Sequence, residues 1–210
     1  MSDEKPCVFC DRKNFEEQLI GETEQFYFIA SLGQITDGGY VLVIPKRHVP
    51  CIGAMEKQEI IEIEQTIWKT NNVIRAEYGV RPIIFEHGIV GQTITHAHLH
   101  ILPAQIRIEH KVRKDFPEAR VNVIYSLEIL RLLYTTKKEK YLLWNVPWYL
   151  GMDKKILYEC AWDPPAPPQY LRLIVAELLG RPERGNWRKM DPELDKRFWS
   201  ETVLRLKKYF

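Results

Sequence analysis

Several features of specialised protein classes are missing from these 210 residues. Only four cysteines are present, which is too few for a disulfide scaffold of this size, so we expect reduced thiols. No apolar run approaches the ~20 residues of a membrane span, and the polar N-terminus lacks the apolar core of a signal peptide. The formal net charge is +2, so no strong field favours nucleic acid or a membrane surface. We therefore expect a cytoplasmic globular protein with no membrane partner.

The chain does contain an ordinary 45% of hydrophobic residues, enough for a sizeable core in one or two domains. Three of its six histidines occur at every second position, as His96, His98 and His100. Alternate spacing is the period of a β-strand, so the three imidazoles should project from one face, with Ala97 and Leu99 entering the core. An imidazole can act as nucleophile, proton carrier or neutral metal ligand. Three imidazoles with different neighbours can divide those roles.

The loop just before this strand is suited to binding a phosphate. It has two glycines three residues apart, Gly88 and Gly91, followed by polar Gln92 and Thr93. Gly91 would let a ligand approach the backbone, while Gln92 and Thr93 would donate hydrogen bonds to phosphate oxygens. His87 stands at the start of this loop. Its side chain could point at the phosphate or lie in water, and both alternatives stay open.

Residues 91–100, GQTITHAHLH, resemble the signature of the histidine-triad (HIT) superfamily of nucleotide hydrolases and transferases. The resemblance runs from about residue 7 to about residue 103. It implies an α+β fold in which an antiparallel sheet is covered by a long helix. It also implies that His98 attacks the α-phosphorus of a nucleotide to form a covalent nucleotidyl-histidine, which water or a second acceptor then releases. His100 and His96 complete the implied catalytic set.

Two positions depart from that family pattern. The Gly-His usual at the start of the second hairpin strand is Gly39-Tyr40 here. The Asp or Asn that usually holds the ribose would fall near Ser31-Leu32, where neither residue type occurs. An ordinary dinucleotide polyphosphate is therefore not assured as the substrate.

Cys7 and Cys10 have the spacing of half a zinc site or of a redox pair. A redox pair would usually stand where a strand enters a helix in a βαβ unit, and little here suggests one. Two buried cysteines without metal are the remaining alternative. His48 and His96 are the candidates for the other two zinc ligands. With them, the pattern resembles the zinc site of galactose-1-phosphate uridylyltransferase and of several zinc-bearing HIT proteins, which implies one structural Zn²⁺.

Local patterns predict the remaining elements. The first half should contain a hairpin over 25–30 and 40–45, a helix over 54–78 that ends at Gly79, and a strand over 81–86. The second half should contain a helix over 126–133, strands over 141–146 and 155–160 around Gly151, an extended linker over 163–168, and helices over 170–179 and 192–209. We place the boundary between a HIT-like catalytic domain, residues 1–106, and a smaller α/β C-terminal extension, residues 107–210.

The extension carries a second resemblance. Residues 175–189, VAELLGRPERGNWRK, look like the end of CwfJ C-terminal domains, which follow a HIT-like domain in eukaryotic proteins tied to spliceosomes and lariat RNA. Two function classes follow. One is a nucleotide hydrolase or nucleotidyl transferase with a nucleotide substrate, and the other is an RNA- or nucleotide-binding module without turnover. HIT hydrolases commonly dimerise, so either a homodimer or an intrachain pseudo-dimer is compatible with the sequence.

Overall fold

The computed structural model describes residues 7–146 and 156–210. The predicted α+β class is confirmed, because these residues form a single sheet whose named pairings are all antiparallel, together with five α-helices. The strands are β1 (Leu19–Glu22), β2 (Phe26–Ala30), β3 (Val41–Pro45), β4 (Ile83–Gly88), β5 (Leu99–Leu102), β6 (Arg120–Ile124), β7 (Tyr141–Asn145) and β8 (Tyr158–Trp162). The helices are α1 (Lys57–Tyr78), α2 (Glu109–Asp115), α3 (Leu127–Lys137), α4 (Tyr170–Leu178) and α5 (Pro192–Leu206).

The sheet has a hydrophobic core on each face. In β3, Val41 and Val43 join the core that includes residues of α1, α3 and α5, while Leu42 and Ile44 join the core that includes residues of α2 and α4. Alternate strand side chains point to opposite faces. Because both faces are covered, β3 is apolar at every position, which is the pattern of a central strand rather than of a surface hairpin.

The first half follows the sequence prediction closely. Strands β2 and β3 pair with Phe28 opposite Val43, as the predicted hairpin requires. Helix α1 begins with a reciprocal capping box between Glu56 and Glu59. It ends at Gly79, whose φ of 70° is the left-handed conformation that glycine adopts without steric cost. No helix in the described ranges is both long and apolar enough to cross a membrane.

The sheet continues through the predicted domain boundary. Its strand order is β1-β2-β3-β5-β4-β7-β8-β6, and β7 of the extension pairs with β4, with Glu86 opposite Leu143. The extension therefore adds three strands to the same sheet. The division at residue 106 remains a prediction, but the two parts share hydrogen-bonded strands.

Some predicted elements are misplaced. Strand β8 occupies Tyr158–Trp162 instead of 155–160, and β1 and β6, which form the two edges of the sheet, have no counterpart in the prediction. The expected turn at Gly151 and the expected strand start at Lys155 lie outside the described residues. Helix α5 ends at Leu206, and a short 3-10 helix follows it.

The strand predicted for the histidines is shorter than expected, which corrects the idea that one strand face presents all three. Strand β5 begins at Leu99, so His96 and His98 precede it and only His100 belongs to it. Pairing of β3 with β5 stops at Val43 opposite Leu99. Continuing the ladder would bring in Pro45, which has no N–H to donate. The segment before Leu99 is therefore not paired with β3, and the His96 side chain turns toward the end of that strand.

Candidate active site

A cavity of about 330 Å³ lies beside the histidines and is lined by both halves of the chain. The HIT-like half contributes an apolar wall and the polar loop before β5. The extension contributes three side chains. The lining residues that bear on function are Phe9, Phe15, Ser31, Leu32, Leu42, His87, Gly91, Gln92, Thr93, His98, His100, Gln169, Arg172 and Trp187. A cavity of this size with convergent polar groups is where a small-molecule site is expected.

His98 is held in one tautomer by the main chain. Its Nδ1 donates to the carbonyl oxygen of His96 at 2.6 Å. A carbonyl can only accept, so the proton of the neutral imidazole sits on Nδ1 and Nε2 keeps its lone pair. Burial lowers the pKa of His98 to about 4. The ring is therefore neutral near pH 7, which is the form that a nucleophile requires.

His100 is held in the opposite tautomer. Its Nδ1 lies 2.6 Å from the hydroxyl of Tyr40, and that hydroxyl accepts from Nη1 of Arg172 at 2.8 Å. The tyrosine proton is thus directed to Nδ1 of His100, and the neutral imidazole carries its own proton on Nε2. That Nε2 is buried and has no partner among the described residues. The ring stacks on Phe85 with centroids 4.5 Å apart, so a fixed donor is available to a bound group.

His87 does not lie in a water-exposed loop, because β4 extends through Gly88 and the side chain is 3% exposed. This corrects the solvent alternative. Its Nε2 accepts from the N–H of Leu171, in the first turn of α4, at 3.0 Å. Burial lowers the pKa of His87 to about 3. His87 is therefore a neutral ring that lines the cavity and accepts a hydrogen bond from the extension.

The loop before β5 borders the cavity, and its contacts include the extension; its predicted role in phosphate binding stays a prediction. Gly91 has a φ of 71°, and a Cβ there would lie 2.7 Å from the carbonyl oxygen of Pro167, so glycine is needed for both reasons. The side chain of Gln92 donates to the carbonyl of Pro50 at 2.8 Å, while its Oε1 has no partner in the part of the chain that the structure describes. Thr93 also lines the cavity.

Tyr40 replaces the usual family histidine, and the structure gives this departure a physical account. A phenol can accept from Arg172 and donate to His100 at the same time, which a neutral imidazole could do only through its two different nitrogens. At the other departure, Ser31 and Leu32 line the cavity without any carboxylate.

Sequence patterns did not reveal Gln169, Arg172 and Trp187, which the extension places in the cavity. These three residues lie at or soon after the start of a helix, and no periodic sequence pattern marks them. Their partners lie far away along the chain. Tyr40, at a position where the family pattern has a histidine, was the one local sign of a compensating residue.

The four residues predicted as metal ligands are brought together from three distant segments. The ligand atoms of Cys7, Cys10, His48 and His96 all lie within 4.8 Å of one another. Nδ1 of His96 is 3.4 Å from Sγ of Cys7, and Nδ1 of His48 is 3.2 Å from Sγ of Cys10. A tetrahedral Zn²⁺ would separate a sulfur and a nitrogen ligand by about 3.5 Å. The group could therefore hold a metal ion.

His96 is oriented for this role by its other nitrogen. Its Nε2 donates to the carbonyl of Pro45 at 2.9 Å, which leaves the lone pair on Nδ1, on the side of the two thiols. Such a second hydrogen bond is the usual way of fixing a histidine ligand. His96 thus faces the Cys/His group, while His98 and His100 face the cavity.

Comparison with known proteins finds relatives of the first half of the chain. Residues 12–106 match the model of the HIT domain family. The match supports the HIT superfamily for this part of the chain. The asymmetrical bis(5'-nucleosyl)-tetraphosphatase of Schizosaccharomyces pombe is 32% identical over 111 residues, covering 49% of this chain and 56% of that relative. The chain therefore spans little more than half of that hydrolase, whose whole activity is not carried over.

Similarity also reaches the extension. A zinc finger CCCH domain-containing protein of Arabidopsis thaliana is 26% identical over 196 residues, which cover 88% of this chain and 32% of that relative. Since the HIT match ends at residue 106, this alignment continues well beyond it. Among solved structures, a HIT family protein from Bacillus anthracis is 25% identical, covers 63% of this chain and 94% of its own, and superposes with a TM-score of 0.43.

Proposed function

We propose that the protein is a nucleotide hydrolase or nucleotidyl transferase that acts at an α-phosphate through a covalent intermediate on His98. The observation that carries the proposal is the hydrogen bond from Nδ1 of His98 to the His96 carbonyl, which leaves Nε2 as an unprotonated nitrogen beside a cavity. The HIT domain match and the names of the hydrolase relatives support nucleotide chemistry at the general level.

In the proposed reaction, the Nε2 lone pair of His98 forms a bond to the α-phosphorus as the bond from phosphorus to the leaving group breaks. The leaving group departs with that electron pair and takes up a proton. Nε2 of His100, together with Gln92 and Thr93, would donate to the phosphate oxygens as charge develops on them. Gly91 would let the phosphate approach the backbone, and His87 would keep the cavity wall hydrogen-bonded to α4. Water or another acceptor then attacks phosphorus and frees His98.

We further propose that Cys7, Cys10, His48 and His96 hold one structural Zn²⁺. Two thiolates and two imidazoles form a tetrahedral set that zinc prefers, and the donor spacing fits it. The ion would stabilise the fold because it would join the N-terminal segment to His48, just after β3, and to His96. His96 would then act on catalysis by position alone.

The extension suggests that the site is complete within one chain. Gln169, Arg172 and Trp187 enter the cavity from the same molecule, so an intrachain pseudo-dimer is favoured over a homodimer as the working unit. RNA stays a candidate partner through the CwfJ-like segment, and a binding module without turnover is the alternative function.

One experiment tests both functions. The protein is incubated with labelled adenosine and guanosine phosphoramidates, dinucleotide polyphosphates and capped RNA, then quenched and analysed by mass spectrometry. We expect a nucleotidyl adduct on the peptide that contains His98, together with product release. Binding of RNA or nucleotide with neither adduct nor product would favour the alternative module.

A further inference from the structure

Arg172 is a buried cation for which residues 7–146 and 156–210 provide no counter-ion. Its residue is 4% exposed, and it forms no ion pair with any carboxylate among the described residues. Its three hydrogen bonds go to neutral acceptors: the Tyr40 hydroxyl at 2.8 Å, the Gly33 carbonyl at 2.7 Å and the Gly185 carbonyl at 3.3 Å. Burying an unpaired charge costs free energy, and proteins normally compensate for it with an opposite charge.

A carboxylate that binds the same loop is already engaged. Asp195 accepts from the amides of Gly33 and Gln34, each at 2.9 Å, and forms no ion pair with Arg172. A guanidinium has five N–H donors, and the three bonds of Arg172 leave donors for another acceptor. Since Arg172 lines the cavity, that acceptor can come from a ligand.

A neighbouring donor points to the same kind of ligand. Nε2 of His100 is buried without a partner among the described residues, and His100 lines the cavity with Arg172. Oε1 of Gln169 is likewise buried without a described partner, but it is an acceptor and calls for a donor group of the ligand rather than for an anion. Gln169 is 7% exposed and begins α4 with a φ of 65°, a conformation unusual outside glycine. One fixed cation and one fixed donor beside each other, with no carboxylate among the described residues that line the cavity, suit an anion.

We propose that Arg172 of the extension supplies the positive charge that binds a phosphate group of the substrate in this cavity. The inference rests on the proposed function only in placing a nucleotide there. Its guanidinium would contact a phosphate oxygen directly, while its bond to Tyr40 keeps His100 aimed at the same group. Charge-assisted bonds from arginine to phosphate are short and strong.

The fit between the loop and the extension explains how the cation is positioned. Gly33 has a φ of 69°, and a Cβ there would lie 2.8 Å from Nη2 of Arg172 and 2.3 Å from Cβ of Trp187. Only glycine permits this close approach. The guanidinium also lies over the Tyr40 ring, 5.1 Å from its centroid. The side chain therefore enters the cavity in a fixed direction.

The test compares nucleotide with nucleoside, without turnover. Calorimetric titration of the full chain with AMP, adenosine, GMP and guanosine gives the preference for the phosphate directly. In the wild type we expect at least one nucleotide to bind more tightly than its nucleoside. Arg172→Met should reduce that preference by about tenfold to a hundredfold, the range of a hydrogen bond to a charged group, and leave nucleoside affinity unchanged. Arg172→Lys should keep part of the preference, because the charge remains.

Arg184 provides the matched control. It joins the same loop to the extension through Asp37 at 2.7 Å but does not line the cavity. Arg184→Met should therefore keep the wild-type preference for nucleotide. A wild type without any preference, or without measurable binding of all four compounds, would overturn the inference. The same follows if Arg172→Met keeps the preference, or if Arg184→Met loses as much of it.

The two proposals fail separately. If Arg172→Met loses the phosphate preference but the wild type forms no adduct on His98 with any substrate, the anion site stands and the enzyme proposal fails. If the wild type turns over nucleotides and Arg172→Met keeps the phosphate preference, the enzyme proposal stands and Arg172 is a structural tether. Should Arg172→Met not fold, the comparison of Arg172→Lys with Arg184→Met decides by the same criterion.

Discussion

The two halves of the chain contribute to the cavity in different ways. The HIT-like half supplies the imidazoles, the polar loop and the contacts that fix His98 and His100 directly, whereas the extension supplies one charge and a hydrogen bond to His87. The loop between β2 and β3 shows the difference, because every support named here comes from the extension: Asp195 binds its amides, Thr202 accepts from Gly39, and Arg184 pairs with Asp37. A motif match to the first half thus describes the reacting groups but not the supports that the extension gives to the loop between β2 and β3.

The largest effect should come from the reacting half. Replacing the nucleophile, His98→Ala, should lower turnover by about three orders of magnitude or more, because the two-step route is lost. The melting temperature should change little by comparison. Turnover and adduct formation measured on the substrate panel check this. His110 is the control, since its side chain is 81% exposed and His110→Ala should keep full activity. A fully active His98→Ala protein would remove the reacting role from this half.

The second effect concerns the Cys/His group. The double variant Cys7→Ser with Cys10→Ser should lose about one equivalent of zinc per chain. A stabilisation of ~3 kcal/mol would correspond to a melting temperature lower by about 10 °C in a chain of this size. Metal analysis and thermal unfolding measure both. Chelation of the wild type, followed by addition of zinc, should reproduce and then reverse the loss. A metal-free wild type of equal stability would refute the zinc site. The alternative of two buried cysteines is already wrong, because Cys10 is exposed and Cys7 is only partly buried.

What could be predicted from the sequence follows the same division. The hairpin, α1 and the Cys7–Cys10 pair were accessible because their signals are local: apolar alternation, a glycine after a helical pattern, and a spacing of three residues. His48 and His96 join that pair only through the resemblance to known zinc sites. His96 and His98 were placed in a strand because alternate spacing resembles one, and the missing N–H of Pro45 is a feature of the partner strand. Periodicity cannot register such a constraint.

The missed features depend on contacts across long stretches of chain. Strand β6 alternates poorly, with mostly exposed residues, so its pattern resembles a loop. Arg172 meets Tyr40 and Gly33 across more than a hundred residues, and nothing near it in sequence marks it. Such residues become visible only when burial and the absence of a counter-ion can be seen together.

Glu86 lies in β4, where the HIT-like half pairs with β7 of the extension. Replacing it should have the third largest effect. It is fully buried, and its carboxylate oxygens accept from the N–H of Ile52 and from the hydroxyl of Tyr141 in β7, each at 2.7 Å. Burial raises its pKa from 4.5 to about 7. The side chains of Cys51 and Cys160, which also interact with it, are neutral thiols whose pKa values burial raises.

Because the folded pKa of Glu86 is the higher one, the folded state keeps a proton that the unfolded state releases. This contribution to stability is present below about pH 4.5 and is lost as pH rises to about 7, by up to ~3 kcal/mol. Glu86→Gln should remove that decline, so the wild type minus variant difference in unfolding free energy should fall between pH 5 and 8. The buried histidines destabilise the fold as pH falls. Because the wild type and the variant both contain them, their contribution cancels in this difference. Glu59→Gln is the control, because the pKa of the Glu59 carboxyl is lowered. The wild type minus Glu59→Gln difference in unfolding free energy should stay constant between pH 5 and 8.

The smallest effect should come from Tyr40, where the two halves meet at a single hydroxyl. Tyr40→Phe keeps the ring but leaves Nδ1 of His100 and one donor of Arg172 without their partner. His100 can then move its proton to Nδ1 and lose the donor on Nε2 that faces the cavity. We expect kcat to fall about tenfold, which corresponds to ~1.4 kcal/mol of transition-state stabilisation, with a smaller change in KM.

A matched variant separates this from a general effect of removing a buried hydroxyl. Tyr158 is 3% exposed but does not line the cavity, so Tyr158→Phe should keep the wild-type kcat. The double variant Tyr40→Phe with Arg172→Lys should lose less than the product of the two single losses, because both act on His100 through the same hydroxyl. Fully multiplicative losses would mean that Arg172 and Tyr40 act independently, and that the extension does not reach His100 through this bond.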